Sequence, residues 1–181
     1  LITLVFAVTL SAQEVTQSKM AEIYEQVKTP YKYGLVLAPQ DNNHKMHCPT
    51  VFRKDGKWFM TFVIYNGKTG TDGRGYETWI AESYDLLHWN IKGRVLAYRD
   101  GMWDCNQRGG FPALPDMTWG GSYELQPYKN KYWMTYIGGP TAGYEQGPLS
   151  IGLAWTDPKN LDKAIEWESA TAPILTNKDK D

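Results

Sequence analysis

The sequence predicts an all-β chain of tandem four-stranded antiparallel modules, the pattern of a β-propeller, and three observations carry that prediction. An Asp-Gly turn sits inside "TVFRKDGKWFMTFVIYNG" (50–67), flanked on both sides by alternating apolar residues. A later stretch, "KYWMTYI", lies over "KWFMTFV", with Lys131 on Lys57 and Ile137 on Val63. The text beyond each copy repeats as well, because "GYETWIAESYDLLHW" (75–89) is answered by "GYEQGPLSIGLAWTDP" (143–158). One such sheet cannot bury both its faces, so copies must stack as blades around an axis. A compact two-sheet sandwich of the same strands is the other architecture that fits.

Composition supports a packed domain. Of 181 residues, 42% are hydrophobic and 22% charged, so the chain has room for about one globular domain. Eight Trp and 12 Tyr suit half-buried strands, and their flat faces also suit sugar rings. The net charge is −1 with no basic block, which excludes the electrostatic footprint of a nucleic-acid binder and of a polybasic membrane patch.

The elements follow in order. "LITLVFAVTLSAQ" (1–13) has the apolar core and small-residue end of a secretory signal peptide, without its basic start. It is too short to span a bilayer, which takes about 20 residues. The chain is therefore expected to be exported, periplasmic or extracellular, and to mature near Gln13 with no lipid anchor. Residues 14–45 form a lead-in holding a short helix before Pro30, and 46–181 hold two blades. In the first, strands flank the "KDGK" turn, with a third in "YETWIAES" and a fourth in "NIKGRVLAY". In the second, the hairpin is expected at 124–139 and the third strand before Asp157. The fourth is expected in "AIEWESATAPIL" (164–175), with Trp167 over Trp89. Asp85 and Trp89 read as turn and inter-blade core. Two blades are fewer than a ring needs, so the chain reads as the N-terminal portion of a longer protein.

"CPTVFRKDGKWFMTF" with "SYDLLHW" resembles the first blade of the five-bladed β-propeller glycosidases, glycoside hydrolase family 43 and its relatives in families 32, 62, 117 and 130. The resemblance covers about residues 46–175. It implies paired carboxylates in an axial pocket, the first a general base just before the proline of blade one. This chain has Cys48 there, in "HCPTVF", and a thiol with a pKa near 8.5 is no carboxylate. The repeat carries Cys48 onto Ser122. That puts Glu124, two residues on, at the family's second-blade acid, at the start of an innermost strand. The third-blade acid lies beyond residue 181. The resemblance also allows a structural calcium ion, for which no ligand set is visible, and needs no organic cofactor.

Other candidates come from "GMWDCNQRGGFPALPD" (101–116), read as an unrepeated inter-blade loop. Asp104 is the replacement base, or a loop cap. Trp103, Asn106 and Arg108 suit stacking on and hydrogen bonding to a sugar, with Tyr123 beside Glu124. His47 reads as a proton carrier or hydroxyl ligand, or a structural histidine. Glu77 and Glu145, the acids of the two Gly-Tyr-Glu copies, are expected at corresponding strand starts in a common structural role, with Glu77 also a candidate for binding substrate. Cys48 and Cys105 are either bridged or free. The expected function is an exported glycosidase of oligo- or polysaccharides. A sugar-binding propeller that has lost its base, and a phosphorylase using Arg74 or Arg108, are the alternatives.

Overall fold

The computed structural model describes residues 15–28, 34–65 and 73–179. The proposed leader, residues 1–13, lies outside them. The chain divides into two compact units, 1–34 and 35–181. In the first, helix α1 (Gln17–Val27) is capped by Thr16, whose hydroxyl accepts from Lys19 N–H at 3.3 Å. Among the described residues no helix is long and apolar enough to cross a membrane.

The second unit holds two four-stranded antiparallel sheets, each ordered as the chain runs. Blade one is β1 (Lys45–Lys54), β2 (Lys57–Tyr65), β3 (Tyr76–Ser83) and β4 (Asn90–Leu96). Its first turn works as the Asp-Gly signal predicts, since Asp55 and Gly56 take φ of 52° and 78°. The turn after β3 is held by Ser83 and Asp85. The Ser83 hydroxyl accepts from Leu86 N–H at 2.9 Å, and the Asp85 carboxylate from His88 N–H at 2.8 Å.

Blade two is β5 (Gln107–Pro112), β6 (Tyr132–Gly139), β7 (Ser150–Thr156) and β8 (Glu168–Ser169), with a 3₁₀ turn at Pro158–Lys163. Here the structure corrects the sequence reading. The innermost strand is β5, inside the stretch expected to be an inter-blade loop, and it pairs with β6 from Gln107↔Gly139 to Pro112↔Met134. Residues 113–131 are an insertion between β5 and β6, where blade one has only Asp55-Gly56. The repeat register is true for β2 and β6 but does not extend upstream of that insertion. Glu124 is therefore not on an innermost strand of blade two. The fourth strand is also shorter than expected. Ala170 N–H still donates to Leu153 O at 2.9 Å, but the chain then meets Pro173, which has no N–H to donate, and pairing with β7 resumes at Ile174 and the Ile151↔Leu175 bridge.

The core lies between the blades. Phe52, Phe59, Ile80, Val95 and Leu96 of blade one meet Met134, Tyr136, Ala154 and Trp167 of blade two. The Phe, Ile, Val, Leu and Met side chains among these contribute roughly 1.5–3 kcal/mol each when fully buried. The Thr78 hydroxyl stitches the seam, donating to Arg108 O and accepting from Gly110 N–H, each at 2.8 Å. Trp89, expected between the blades, instead packs with Met60 and Phe62 on the other face of blade one.

Candidate functional site

In two antiparallel sheets the starts of β1, β3, β5 and β7 share one end with the ends of β2 and β6. At that end Lys45, His47, Tyr65 and Tyr144 line a hollow of about 350 Å³. A smaller hollow, about 120 Å³, lies on the Met60 face between Met46, Ile64, Trp79 and Ile91.

Strand β1 enters the larger hollow through an irregularity. Its pairing with β2 skips between His47 and Thr50, and Cys48 takes a φ of 54°. Such a bulge re-aims side chains at a strand end. Cys48 is exposed, and its sulfur lies 3.0 Å from His47 Nδ1. Both cysteines are free thiols, so no bridge joins Cys48 to Cys105 in this structure. The His47 ring meets Tyr76 and Tyr144 edge-on at 5.7 and 5.6 Å, and Tyr65 meets Tyr144 at 5.3 Å.

The two Gly-Tyr-Glu copies converge here, though not as equivalents. Tyr76 and Glu77 open β3, whereas Tyr144 and Glu145 lie in the loop before β7. Gly143 N–H donates to Gly73 O, and the Tyr76 hydroxyl points to Glu145 Oε1 at 3.5 Å. Burial, and then the charge of Glu145, hold the Tyr76 phenol well above the ordinary tyrosine range. Glu145 is exposed, takes a φ of 51°, and has no ion pair among the described residues. Glu77 is 8% exposed, tied to Arg94 at 3.0 Å and to Tyr98 N–H at 3.1 Å. The expected structural equivalence of the two acids is thus overturned by their settings.

The inter-blade candidates form a buried ionic knot. Asp104 is fully buried; its carboxylate accepts from Arg99 at 2.7 Å and Tyr136 OH at 2.8 Å, and forms an ion pair with Arg108, whose Nε lies 3.1 Å away. No surface remains on which a water or sugar could meet it, so it is not placed to serve as a base. Arg108, equally buried, donates to Ala97 O and Glu166, each at 2.6 Å, so it offers no guanidinium to a ligand or phosphate. Arg74 pairs with Asp100. Trp103 stacks on Tyr136 at 5.7 Å and packs on the core. Asn106 clips the blades together, its carboxamide donating to Pro140 O and its backbone carbonyl accepting from Gly75 N–H at 2.6 Å. Glu124 and Tyr123 stand at the opposite end, where Glu124 bridges Arg53 at the far end of β1. From His47 to Arg53 that strand rises about 20 Å. Tyr123 packs on Trp58 at 5.9 Å. No group of three His, Cys, Asp or Glu among the described residues could hold a metal ion.

No protein-family model matches the chain, and no curated protein matches it either. Solved structures do. One described as a complex of BT0996 with RGII is 68% identical over 93% of this chain, with a TM-score of 0.86. A second, described as a glycoside hydrolase, is 67% identical over 93%, with a TM-score of 0.85. The chain carries two blades of a glycoside-hydrolase-type β-propeller. It spans about half the length of those two structures, 48% of each. A family 117 glycoside hydrolase from Zobellia galactanivorans shares the fold at 16% identity, covering 71% of this chain and 38% of its own, with a TM-score of 0.53.

Within this propeller, then, His47 is the sequence candidate that the strand-start hollow contains. Gln107 lies in the inter-blade stretch whose polar groups suit hydroxyl recognition and Tyr76 in the first Gly-Tyr-Glu, but neither is singled out there; Tyr65 belongs to no motif, and Glu145 reads from sequence as structural. The signal for all four is the second Gly-Tyr-Glu and its failure to keep the strand register of the first.

Proposed function

We propose that this chain supplies one side of the active site of an exported glycoside hydrolase acting on terminal bonds of a polysaccharide. Glu145 is one of its two carboxyl groups. One observation carries the reading: an exposed carboxylate with no cation partner among the described residues, beside an aromatic hollow, in a chain 67% identical to a glycoside hydrolase. Glycosidic cleavage takes two carboxyls, one protonating the leaving oxygen and one serving as base or nucleophile. Tyr144, 41% exposed, offers an apolar face on which a sugar ring can stack, with the buried Tyr65 ring packed edge-on behind it. The polysaccharide class is suggested by the RGII complex of the 68% identical protein. Export rests on the apolar leader alone.

Cys48 favours a second reading, a propeller that binds sugar without cutting it, because a thiol stands where the resemblance expects the base. The test uses the full natural chain, with RGII and arabino-, xylo-, galacto- and manno-oligosaccharides, scored by release of reducing sugar. Cleavage that falls a hundredfold or more in Glu145→Gln, and within about threefold of parent in Glu124→Gln, supports the first reading. Binding without release supports the second.

A further inference from the structure

Glu145 sits on a loop, and a catalytic carboxylate on a loop needs something rigid to aim it. The strongest constraint comes from β5. The Gln107 carboxamide oxygen accepts from Glu145 N–H at 2.7 Å. Gln107 is fully buried, begins a core strand paired to Gly139, and is set by the same turn that carries Asp104. Its side chain crosses Gly75, where a β-carbon would come within 2.4 Å of the carboxamide oxygen. Gly75 is in turn fastened to Asn106 O at 2.6 Å. Both blades therefore combine to place this one acceptor.

The other end of the amide is telling. Gln107 Nε2 is buried and has no hydrogen-bond partner among the described residues. A buried glutamine normally satisfies both its donors and its acceptor, because an orphaned donor costs its full desolvation. Here the carboxamide bonds to the backbone of Glu145, which is held at a φ of 51° that non-glycine residues seldom take.

We infer that Gln107 is a positioning residue, which fixes the backbone of Glu145 and thereby the direction of its carboxylate. This rests on the catalytic reading of Glu145. Gln107 has no exposed surface and does not touch substrate itself. Gly75 belongs to the same device, because any side chain there would displace the carboxamide.

The test compares four variants of the full natural chain on the best-cleaved oligosaccharide: Glu145→Gln, Gln107→Met, Gln107→Glu and Gly75→Ala. Gln107→Met keeps the volume and loses the acceptor, and it should lower kcat about ten- to a hundredfold with KM within threefold. Gly75→Ala should do the same with Gln107 still present. Gln107→Glu keeps an acceptor oxygen and should recover most of kcat. A merely structural glutamine would lower the melting temperature of all three and leave kcat of the folded fraction unchanged. That result overturns the inference, as does failure of both Gln107→Met and Gly75→Ala to fold. If Glu145→Gln is itself fully active, the catalytic reading fails first. If Glu145→Gln is dead while Gln107→Met matches parent, only the positioning role falls.

Discussion

Asp104 Oδ2 lies 3.1 Å from Arg108 Nε, and neither residue exposes any surface. The same carboxylate also holds Arg99, and Arg108 is shared with Glu166, so two carboxylates balance two guanidiniums at the seam between the blades. Removing one member of a buried ionic group costs more than the group contributes as a whole, because the partners stay buried and uncompensated. Asp104→Asn should therefore destabilise the full natural chain by about 3–5 kcal/mol, measured by denaturant unfolding. Asp104→Leu combined with Arg108→Met should recover much of that loss. Normal stability with abolished turnover would instead return Asp104 to the active site.

The same knot predicts the alkaline limit of the fold. Tyr136 donates to Asp104 at 2.8 Å, and burial, then that bond, raise its pKa to about 12. In the unfolded chain the phenol titrates near pH 10. A raised folded pKa means the stabilisation is complete below pH 10 and is lost as pH climbs from about 10 to 12. Melting temperature should fall along that limb, and Tyr136→Phe should fall less steeply. Tyr76, also raised, adds to the same limb in both proteins. The readout is therefore the difference between the two curves.

Gly109 tests how tightly the site is backed by the core. A β-carbon there would come within 2.2 Å of the Tyr76 ring, one of the walls around His47 and Glu145. Gly109→Ala must push that ring outward, and overpacking of this kind costs about 1–3 kcal/mol. Turnover should fall together with stability, because the displaced ring crowds Glu145. Gly152→Ala meets the Tyr136 ring at 2.1 Å, at the knot rather than at the hollow. It should cost comparable stability by thermal melting and leave turnover of the folded fraction close to parent.

These residues also mark where sequence reading works and where it stops. Blade one is legible because its information is local: Asp55 and Gly56 take the positive φ values their types favour, and Lys54 then pairs with Lys57. Blade two carries an equally genuine turn signal. Lys129 and Asn130 have φ of 48° and 57°, and Tyr128 bridges Lys131. That turn closes a single bridge, however, while the true partner of β6 lies upstream of the insertion. Nothing local distinguishes the two, so the repeat assigns Glu124 a strand position that belongs to β5. Glu145 misleads for a related reason. Its three-letter motif repeats that of Glu77, but one copy falls inside a strand and the other in a loop, and only tertiary pairing separates them.

The last prediction concerns the thiols. Cys48 is exposed at the rim of the hollow, beside His47 Nδ1 at 3.0 Å. Cys105 is half-buried, with its sulfur 3.7 Å from Pro140 O. Alkylation requires access as well as ionisation, and the half-buried Cys105 is the less accessible of the two in the native fold. Iodoacetamide on the native protein should therefore modify Cys48 well before Cys105, as read by peptide mass spectrometry. Under denaturant the two should react alike. If the larger hollow is where sugar binds, a bound oligosaccharide should slow labelling of Cys48 and leave Cys105 unaffected. Equal slowing of both would mean that the ligand rigidifies the whole propeller, and no slowing would move the binding site away from this end of the blades.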